Sequence, residues 1–288
     1  MALHRQTFQT RTLTAIVFAA VMLMGLLWNR WSFFILFSVI HFGCWIEYQK
    51  LVTKINCNYA AIIPFHKYGI MIAGWCLLLY FTNDELQVLG IRLTEVGLWL
   101  GLISALALPL IILLKSKKFF LENIGYSAFG LLYISLSLAL FVDLRNHWIE
   151  EKYRLNMVIP LLIIFTLWIN DTMAYIVGSF IGKTPMSSIS PKKTWEGTIG
   201  GVILAIVIMC VIAFYTRKFS VVHTAVIAII TTVAGTFGDL FESKLKRLAS
   251  VKDSGNIMPG HGGFLDRFDS LLFASVAVWF YAVFVIGE

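Results

Sequence analysis

The sequence predicts an all-α polytopic membrane protein with about nine transmembrane helices. Of its 288 residues, 59% are hydrophobic and only 14% are charged, and the mean hydropathy is +0.81. Soluble domains have an apolar share of about 45 to 50%, so this chain must have the bilayer as its solvent. Most of its apolar runs approach the ~20 residues that a spanning helix needs. Strands of a membrane barrel would instead show alternation over segments of ~10 residues.

The basic residues predict how these helices are oriented. The nine apolar runs lie at roughly 12–28, 31–47, 68–83, 93–114, 121–142, 155–182, 195–215, 221–240 and 268–287. Lys and Arg in short loops are retained on the cytoplasmic side. With the N-terminus in the cytoplasm, most of the 23 Lys and Arg residues fall on the inner side. We therefore expect the C-terminus outside and cytoplasmic loops at 183–195 and 241–267.

The net charge of +7 is explained by this topology and by contact with anionic membrane lipids. No basic module interleaved with aromatic residues occurs, so nucleic acid is not an expected partner. Residues 1–120 are interpreted as transmembrane scaffold helices, in which Glu47 is assigned to the membrane interface. Trp28 to Trp31 join the first two runs and predict a helical hairpin. Residues 121–288 are interpreted as the catalytic region.

Two carboxylates inside apolar runs are the first functional candidates. A charged residue at mid-membrane costs roughly 2.5 to 3.5 kcal/mol on insertion scales, so Asp171 is expected to face an interior polar site. At ~1.5 Å per residue, Asp171 lies about 24 Å and Asp239 about 27 Å from the outer ends of their helices. Both carboxylates are therefore predicted to lie near the cytoplasmic edge of the membrane.

The helix that carries Asp239 is predicted to continue past the membrane edge with a polar stripe. Asp239, Glu242, Ser243 and Lys246 share one helical face, because they are spaced by three, four and seven residues. Arg247 follows Ser243 by four. The spacing therefore predicts a column of acids and bases on one side of this helix.

The loop before the seventh run predicts an anion site. Lys192, Lys193 and Thr194 directly precede a helix start, where free backbone N–H groups and the helix dipole attract anions. The alternative is an N-cap accompanied by lysines retained on the inner side. Gly197, Gly200 and Gly201 are expected to let neighbouring helices approach closely.

The last loop, Pro259 to Asp269, completes a segment from Asp239 that holds ten charged residues. This density indicates phosphate chemistry. Asp266 and Asp269 offer the hard oxygens that Mg²⁺ prefers. The structural alternatives are that Asp269 caps the ninth helix, that Asp266 pairs with Arg267, and that His261 only bonds the loop backbone, which is the interpretation we favour for His261.

Many of these residues form a recognisable pattern. The matching positions are Ser243, Lys246, Arg247, Lys252, Asp253, Pro259, His261, Gly262, Gly263, Asp266, Arg267 and Asp269. They resemble the signature of the phosphatidate cytidylyltransferases, also called CDP-diacylglycerol synthases, with Met258 where the family usually has Leu, Ile or Phe. Asp171-x-x-Ala174-Tyr175, Ser190 to Gly197 and Gly238-Asp239 also match, so the resemblance covers roughly residues 165 to 272.

The resemblance implies that CTP and phosphatidate are converted to CDP-diacylglycerol and pyrophosphate with Mg²⁺. The implied catalytic residues are Asp239, Asp266, Lys246 and Ser243. Asp239 and Asp266 would hold the metal, and Asp269 and Asp171 would form a second layer or a second cation site. Substrate phosphates would be bound by Lys192, Lys193, Thr194, Arg247, Lys252, His261 and Arg267. The family also implies a homodimer, and we expect a multi-pass protein of the bacterial cell (inner) membrane.

Two other functions stay open from the sequence. A CTP-dependent lipid-alcohol kinase would transfer the γ-phosphoryl group to a polyprenol, phytol or dolichol and release CDP. A transporter or flippase would also explain acids within the membrane, but it predicts paired broken helices in the two halves of the chain. We see no such repeat in the sequence, and the D-G-x-x-A-R pattern of CDP-alcohol phosphotransferases is missing from it.

Overall fold

The computed structural model describes residues 5–115, 121–146, 157–187, 189–190, 192–256 and 262–287. The elements in chain order are α1 (Arg5–Leu27), α2 (Arg30–Ile55), α3 (Cys57–Ala60), α4 (Pro64–Tyr80), β1 (Gln87–Val88), β2 (Ile91–Arg92), α5 (Leu93–Lys115), α6 (Leu121–Gly130), the π-helical turn π1 (Leu131–Leu136), α7 (Ser137–Asn146), α8 (Val158–Ile181), α9 (Trp195–Thr216), α10 (Val221–Leu248), α11 (Leu265–Tyr281) and π2 (Ala282–Ile286). The strands form one antiparallel pair, in which Gln87 lies opposite Arg92. The predicted all-α class is confirmed.

Each predicted apolar run corresponds to a helical segment. Among the described residues, seven segments are long and apolar enough to cross a membrane: Arg30–Ile55, Leu93–Lys115, Leu121–Arg145, Val158–Ile181, Trp195–Thr216, Val221–Leu248 and Leu265–Ile286. The apolar part of α1, Thr12–Leu27, is shorter. The chain is therefore a multi-pass helical membrane protein, while the count of nine spans and the placement of the termini stay predictions.

The chain divides into two compact units. The first comprises Met1–Asp143 and Leu248–Phe268, and the second comprises Leu144–Arg247 and Asp269–Glu288. The functional division between a scaffold at 1–120 and a catalytic region at 121–288 stays a prediction.

The first unit is organised by α2. A capping box starts this helix: the Asn29 side chain accepts a hydrogen bond from Ser32 N at 2.7 Å, and Ser32 Oγ accepts one from Asn29 N at 3.0 Å. Because α1 ends at Leu27, this cap produces the predicted hairpin turn. The buried rings of Phe33 and Phe37 pack on Phe141, with centroids 5.7 and 4.7 Å away.

The second unit depends on glycines where helices approach closely. A Cβ on Gly201 of α9 would lie 2.8 Å from the Asn170 carbonyl oxygen of α8, and one on Gly197 would lie 2.8 Å from the Ala174 carbonyl oxygen. The predicted close helix approach is therefore confirmed. Gly238 has the same effect on α10, since its Cβ would lie 2.5 Å from the Asp269 carbonyl oxygen of α11.

Candidate active site

The polar stripe lies on α10 as predicted. Asp239, Glu242, Ser243 and Lys246 all fall within this one helix. Glu242 is fully buried, Ser243 is buried, and the Lys246 side chain is 13% exposed. Lys246 forms an ion pair with Glu242 one turn earlier on the helix. The stripe is therefore largely buried.

Lys193 is the centre of the charged cluster in the second unit. Its ammonium group forms an ion pair with Asp239 Oδ2. Burial lowers the pKa of Lys193, while the carboxylates of Asp171 and Asp269 act on its ammonium group in the opposite direction. The structure therefore brings together carboxylates from α8, α10 and α11, and Gly238 is the position that lets α10 and α11 meet there.

Asp269 does not cap a helix. Helix α11 begins at Leu265, so Asp269 lies in its second turn, and the capping alternative from the sequence is wrong. The residue is buried, and its Oδ1 accepts a hydrogen bond from Ser270 N at 2.6 Å. A buried carboxylate that caps nothing suits a role in the charged cluster.

The loop between α8 and α9 holds Lys193 in place. Thr194 caps α9, because its Oγ1 accepts from Gly197 N at 3.2 Å, so the N-cap alternative is confirmed for this residue. The Glu196 carboxylate accepts from Lys183 N at 3.2 Å and from Thr184 N at 3.1 Å. Met186 N donates to the Lys193 carbonyl at 2.7 Å. These bonds fold the loop back onto the start of α9.

Glu47 is a residue whose contacts the sequence interpretation did not predict. The sequence assigns it to the membrane interface, which stays a prediction, and in the structure its side chain is buried in the protein, with 1% exposed. Its Oε1 accepts from Phe264 N at 2.9 Å, and its Oε2 accepts from Leu265 N at 2.8 Å and from Ser254 Oγ at 2.7 Å. Glu47 therefore ties α2 to the loop that carries much of the signature.

Asp266 organises the same loop in the first unit. Its Oδ2 accepts from Ser254 N at 2.9 Å, from Ser254 Oγ at 2.9 Å and from Gly263 N at 2.8 Å. The Ser254 hydroxyl thus lies between two carboxylates, Asp266 and Glu47. Asp266 has a loop-organising role in the structure, and its predicted role as a metal ligand stays a prediction.

The glycines of the signature make room for these carboxylates. A Cβ on Gly263 or on Gly255 would collide with the Glu47 carboxylate. Gly262 has a φ of +82°, a conformation that L-residues with side chains rarely adopt. A Cβ on Gly262 would also lie 2.7 Å from Asp266 Oδ2. The pattern Gly262-Gly263 is therefore required by backbone conformation and by space.

We expect Gly262→Ala to destabilise the protein by at least about 2 kcal/mol, because left-handed strain adds to the clash with Asp266. Gly90→Ala is a matched control, since Gly90 also has a φ of +82° but nothing lies within 4 Å of its Cβ position. Thermal unfolding in detergent measures both variants. Equal losses in the two would show that the Asp266 contact contributes nothing.

The remaining predicted residues lie at the surface or outside the described chain. Lys252 and Arg267 are exposed in the first unit, and Lys192 and Arg247 are exposed in the second. His261 lies outside the described residues.

The sequence interpretation missed two residues of the site, Glu47 and Ser254. The cost of a charge in an apolar run is the signal that selects Asp171, and the same signal applies to Glu47.

The donors of the charged cluster suit a divalent cation. Four carboxylates, from Asp171, Asp239, Glu242 and Asp269, surround or act on the two ammonium groups of Lys193 and Lys246. Their carboxylate oxygens are hard ligands of the kind that Mg²⁺ prefers. Within the described ranges no ready-made group of three His, Cys, Asp or Glu ligands occurs.

Comparisons with known proteins agree on one family. The model of the cytidylyltransferase family matches residues 9–285. The phosphatidate cytidylyltransferase of Bacillus subtilis (strain 168) is 31% identical over 278 residues, which is 96% of each chain. That of Staphylococcus haemolyticus is 34% identical over 71% of this chain and 86% of its own length. The chloroplastic phosphatidate cytidylyltransferase 4 of Arabidopsis thaliana is 44% identical over 38% of this chain and 28% of its own length.

Proposed function

This chain belongs to the cytidylyltransferase family, and we infer from that membership that it transfers the cytidylyl group of CTP to phosphatidate. The products are CDP-diacylglycerol and pyrophosphate, so the protein is a multi-pass membrane nucleotidyltransferase of phospholipid biosynthesis. The observation that carries this conclusion is the match to a phosphatidate cytidylyltransferase over 96% of both chains.

The reaction needs little covalent help from the protein. An oxygen of the lipid phosphate attacks the α-phosphorus of CTP, and the bond from that phosphorus to the β-phosphate bridging oxygen breaks, so pyrophosphate leaves with the electron pair. A phosphate monoester has a second pKa near 6 and is largely ionised at neutral pH, so no general base is required. Catalysis then depends on positioning two polyanions and on neutralising their charge.

The residues of the second unit support this task. Lys193 and Lys246 supply ammonium groups that form ion pairs with Asp239 and Glu242. We assign both to phosphate oxygens during the reaction, with Ser243 orienting one of them from the same face of α10. The Lys193 side chain is 39% exposed, so its ammonium group is accessible to a phosphate.

Mg²⁺ is the cofactor that we propose for this cluster. Asp239 would hold it, with Asp171 and Asp269 as further ligands or as a second cation site, because carboxylate oxygens are its preferred protein ligands. When bound, it would neutralise phosphate charge and polarise the phosphoryl group. Asp266 as a second direct ligand is the prediction made from the resemblance, and Asp266→Asn tests it separately.

The test is pyrophosphate release by the purified protein in detergent. We expect release from CTP only when phosphatidate and Mg²⁺ are both present, and loss of release after addition of a chelator. Restoration by added Mg²⁺ would identify the loss as removal of the metal. Release that does not depend on phosphatidate would contradict the proposed function, and release that persists in excess chelator would contradict the proposed cofactor.

We also propose the bacterial cell (inner) membrane as the location and a homodimer as the assembly. The family resemblance implies the homodimer, and the match over 96% of both chains to a bacterial relative supports the location. Membrane fractionation checks the location, and light scattering of the protein–detergent complex checks the assembly. A mass equal to one chain would contradict the dimer.

A further inference from the structure

The first unit contains a cavity that the proposed reaction does not use. Its volume is about 340 Å³, and its walls come from three segments of the chain. Lys50 and Lys54 of α2 form one side, Lys67 of α4 forms another, and Asp253 and Ser254 of the loop after α10 form a third. The cavity therefore lies beside the loop that Glu47 anchors.

The charge of this cavity is strongly biased. Three lysines line it, against the single acidic residue Asp253. Lys50 and Lys54 are one helical turn apart, a spacing at which like charges repel and destabilise the helix. In the part of the chain that the structure describes, the salt bridges include none of the three lysines. An anion in the cavity would relieve this repulsion.

Two parts of the cavity wall are held in place by hydrogen bonds. Ser254 is buried and held through both its N–H and its hydroxyl by Asp266 and Glu47. The start of α4 is attached to α2, because Gln49 Nε2 donates to the Lys67 carbonyl at 2.9 Å. A site with preset walls loses less entropy when it binds a ligand than a flexible surface does.

We propose that this lysine pocket binds a phosphate group. Lysine is a common phosphate ligand that acts as a point charge, and the cavity is large enough for a phosphate with its substituents. Lys50 and Lys54 lie at the end of a helix long enough to span a membrane, which is the depth of lipid headgroups. The phosphate therefore comes from a lipid headgroup or from a nucleotide. The inference deepens the proposed function, since both substrates of that reaction carry phosphate.

The test compares two double variants with the same change in charge. Lys50→Gln/Lys54→Gln removes two charges from the pocket, and Lys115→Gln/Lys218→Gln removes two exposed charges elsewhere. We measure KM for CTP and for phosphatidate, varied as its mole fraction in mixed micelles. Two partly exposed ion contacts are worth about five- to tenfold together, so we expect a rise of that size in one KM, with kcat changed by less than about twofold.

The substrate whose KM rises identifies the source of the phosphate. Titration with inorganic pyrophosphate and the amount of phosphatidate retained on the purified protein give two readouts that do not depend on activity. An unchanged KM for both substrates together with unchanged binding of both probes would overturn the proposal, as would equal effects in the control variant. If the wild-type protein made no CDP-diacylglycerol, the proposed function would fail. The two binding readouts would still decide whether the lysine pocket binds a phosphate group.

Discussion

Asp239→Asn is expected to lower kcat by about 10²- to 10³-fold, the range seen when one preorganised electrostatic group is removed from an active site. Asparagine has the same shape, so the close approach of α10 and α11 beside Gly238 is kept. The substitution removes the carboxylate that pairs with Lys193 and that we assign to Mg²⁺. Steady-state kinetics at saturating CTP and phosphatidate measure the effect.

Asp84→Asn is the control for this experiment. Asp84 pairs with Arg92 at 3.3 Å, but its side chain is 71% exposed, so we expect kcat to stay within about twofold of the wild type, as is usual for a surface pair. A folded Asp239→Asn protein with nearly wild-type kcat would show that the charged cluster of the second unit is not the catalytic centre.

Glu47→Ala is expected to destabilise the protein by about 2 to 6 kcal/mol, because each buried N–H group left without an acceptor costs about 1 to 3 kcal/mol. The N–H groups of Phe264 and Leu265 would lose their acceptor, while the Ser254 hydroxyl would keep only Asp266. Glu47→Gln keeps the shape and one carbonyl acceptor, so we expect a smaller loss of about 1 to 3 kcal/mol. Because this loop carries much of the signature, activity should fall in the same order, with alanine worse than glutamine.

Thermal unfolding and kcat are measured together for these variants. Glu95→Ala is the control, because the Glu95 side chain is 57% exposed and its contact with Arg92 is 3.8 Å long. Wild-type thermal stability in Glu47→Ala would contradict the anchoring role. Loss of activity in Glu47→Gln at a temperature where the protein stays folded would show that the anchor positions the loop for the reaction.

The helices and the charged stripe are predictable from the sequence because both depend on local properties. Hydropathy over about twenty residues identifies a span, and helical spacing alone places Asp239, Glu242 and Lys246 on one face. The cost of a buried charge selects Asp171 from its position within an apolar run. Only the predicted shared depth of Asp171 and Asp239 in the membrane connects Asp171 with the charged stripe.

The anchor in the first unit could not be predicted in the same way. Glu47 is more than 200 residues away in sequence from Ser254, Phe264 and Leu265, so no local pattern connects them. Its position near the end of an apolar run suits the membrane interface equally well. The sequence shows that Asp266 is charged and which residues flank it along the chain. The contacts of Asp266 with Ser254 depend on how the loop folds back.

The most direct test of the central claim follows the phosphorus atoms of CTP. The purified wild-type protein is incubated with phosphatidate and Mg²⁺, and with CTP labelled at either the α- or the γ-phosphorus. We predict that the α label enters the lipid as CDP-diacylglycerol and that the γ label leaves as pyrophosphate. A γ label in the lipid, with CDP released, would contradict cytidylyl transfer and identify the protein as a lipid kinase.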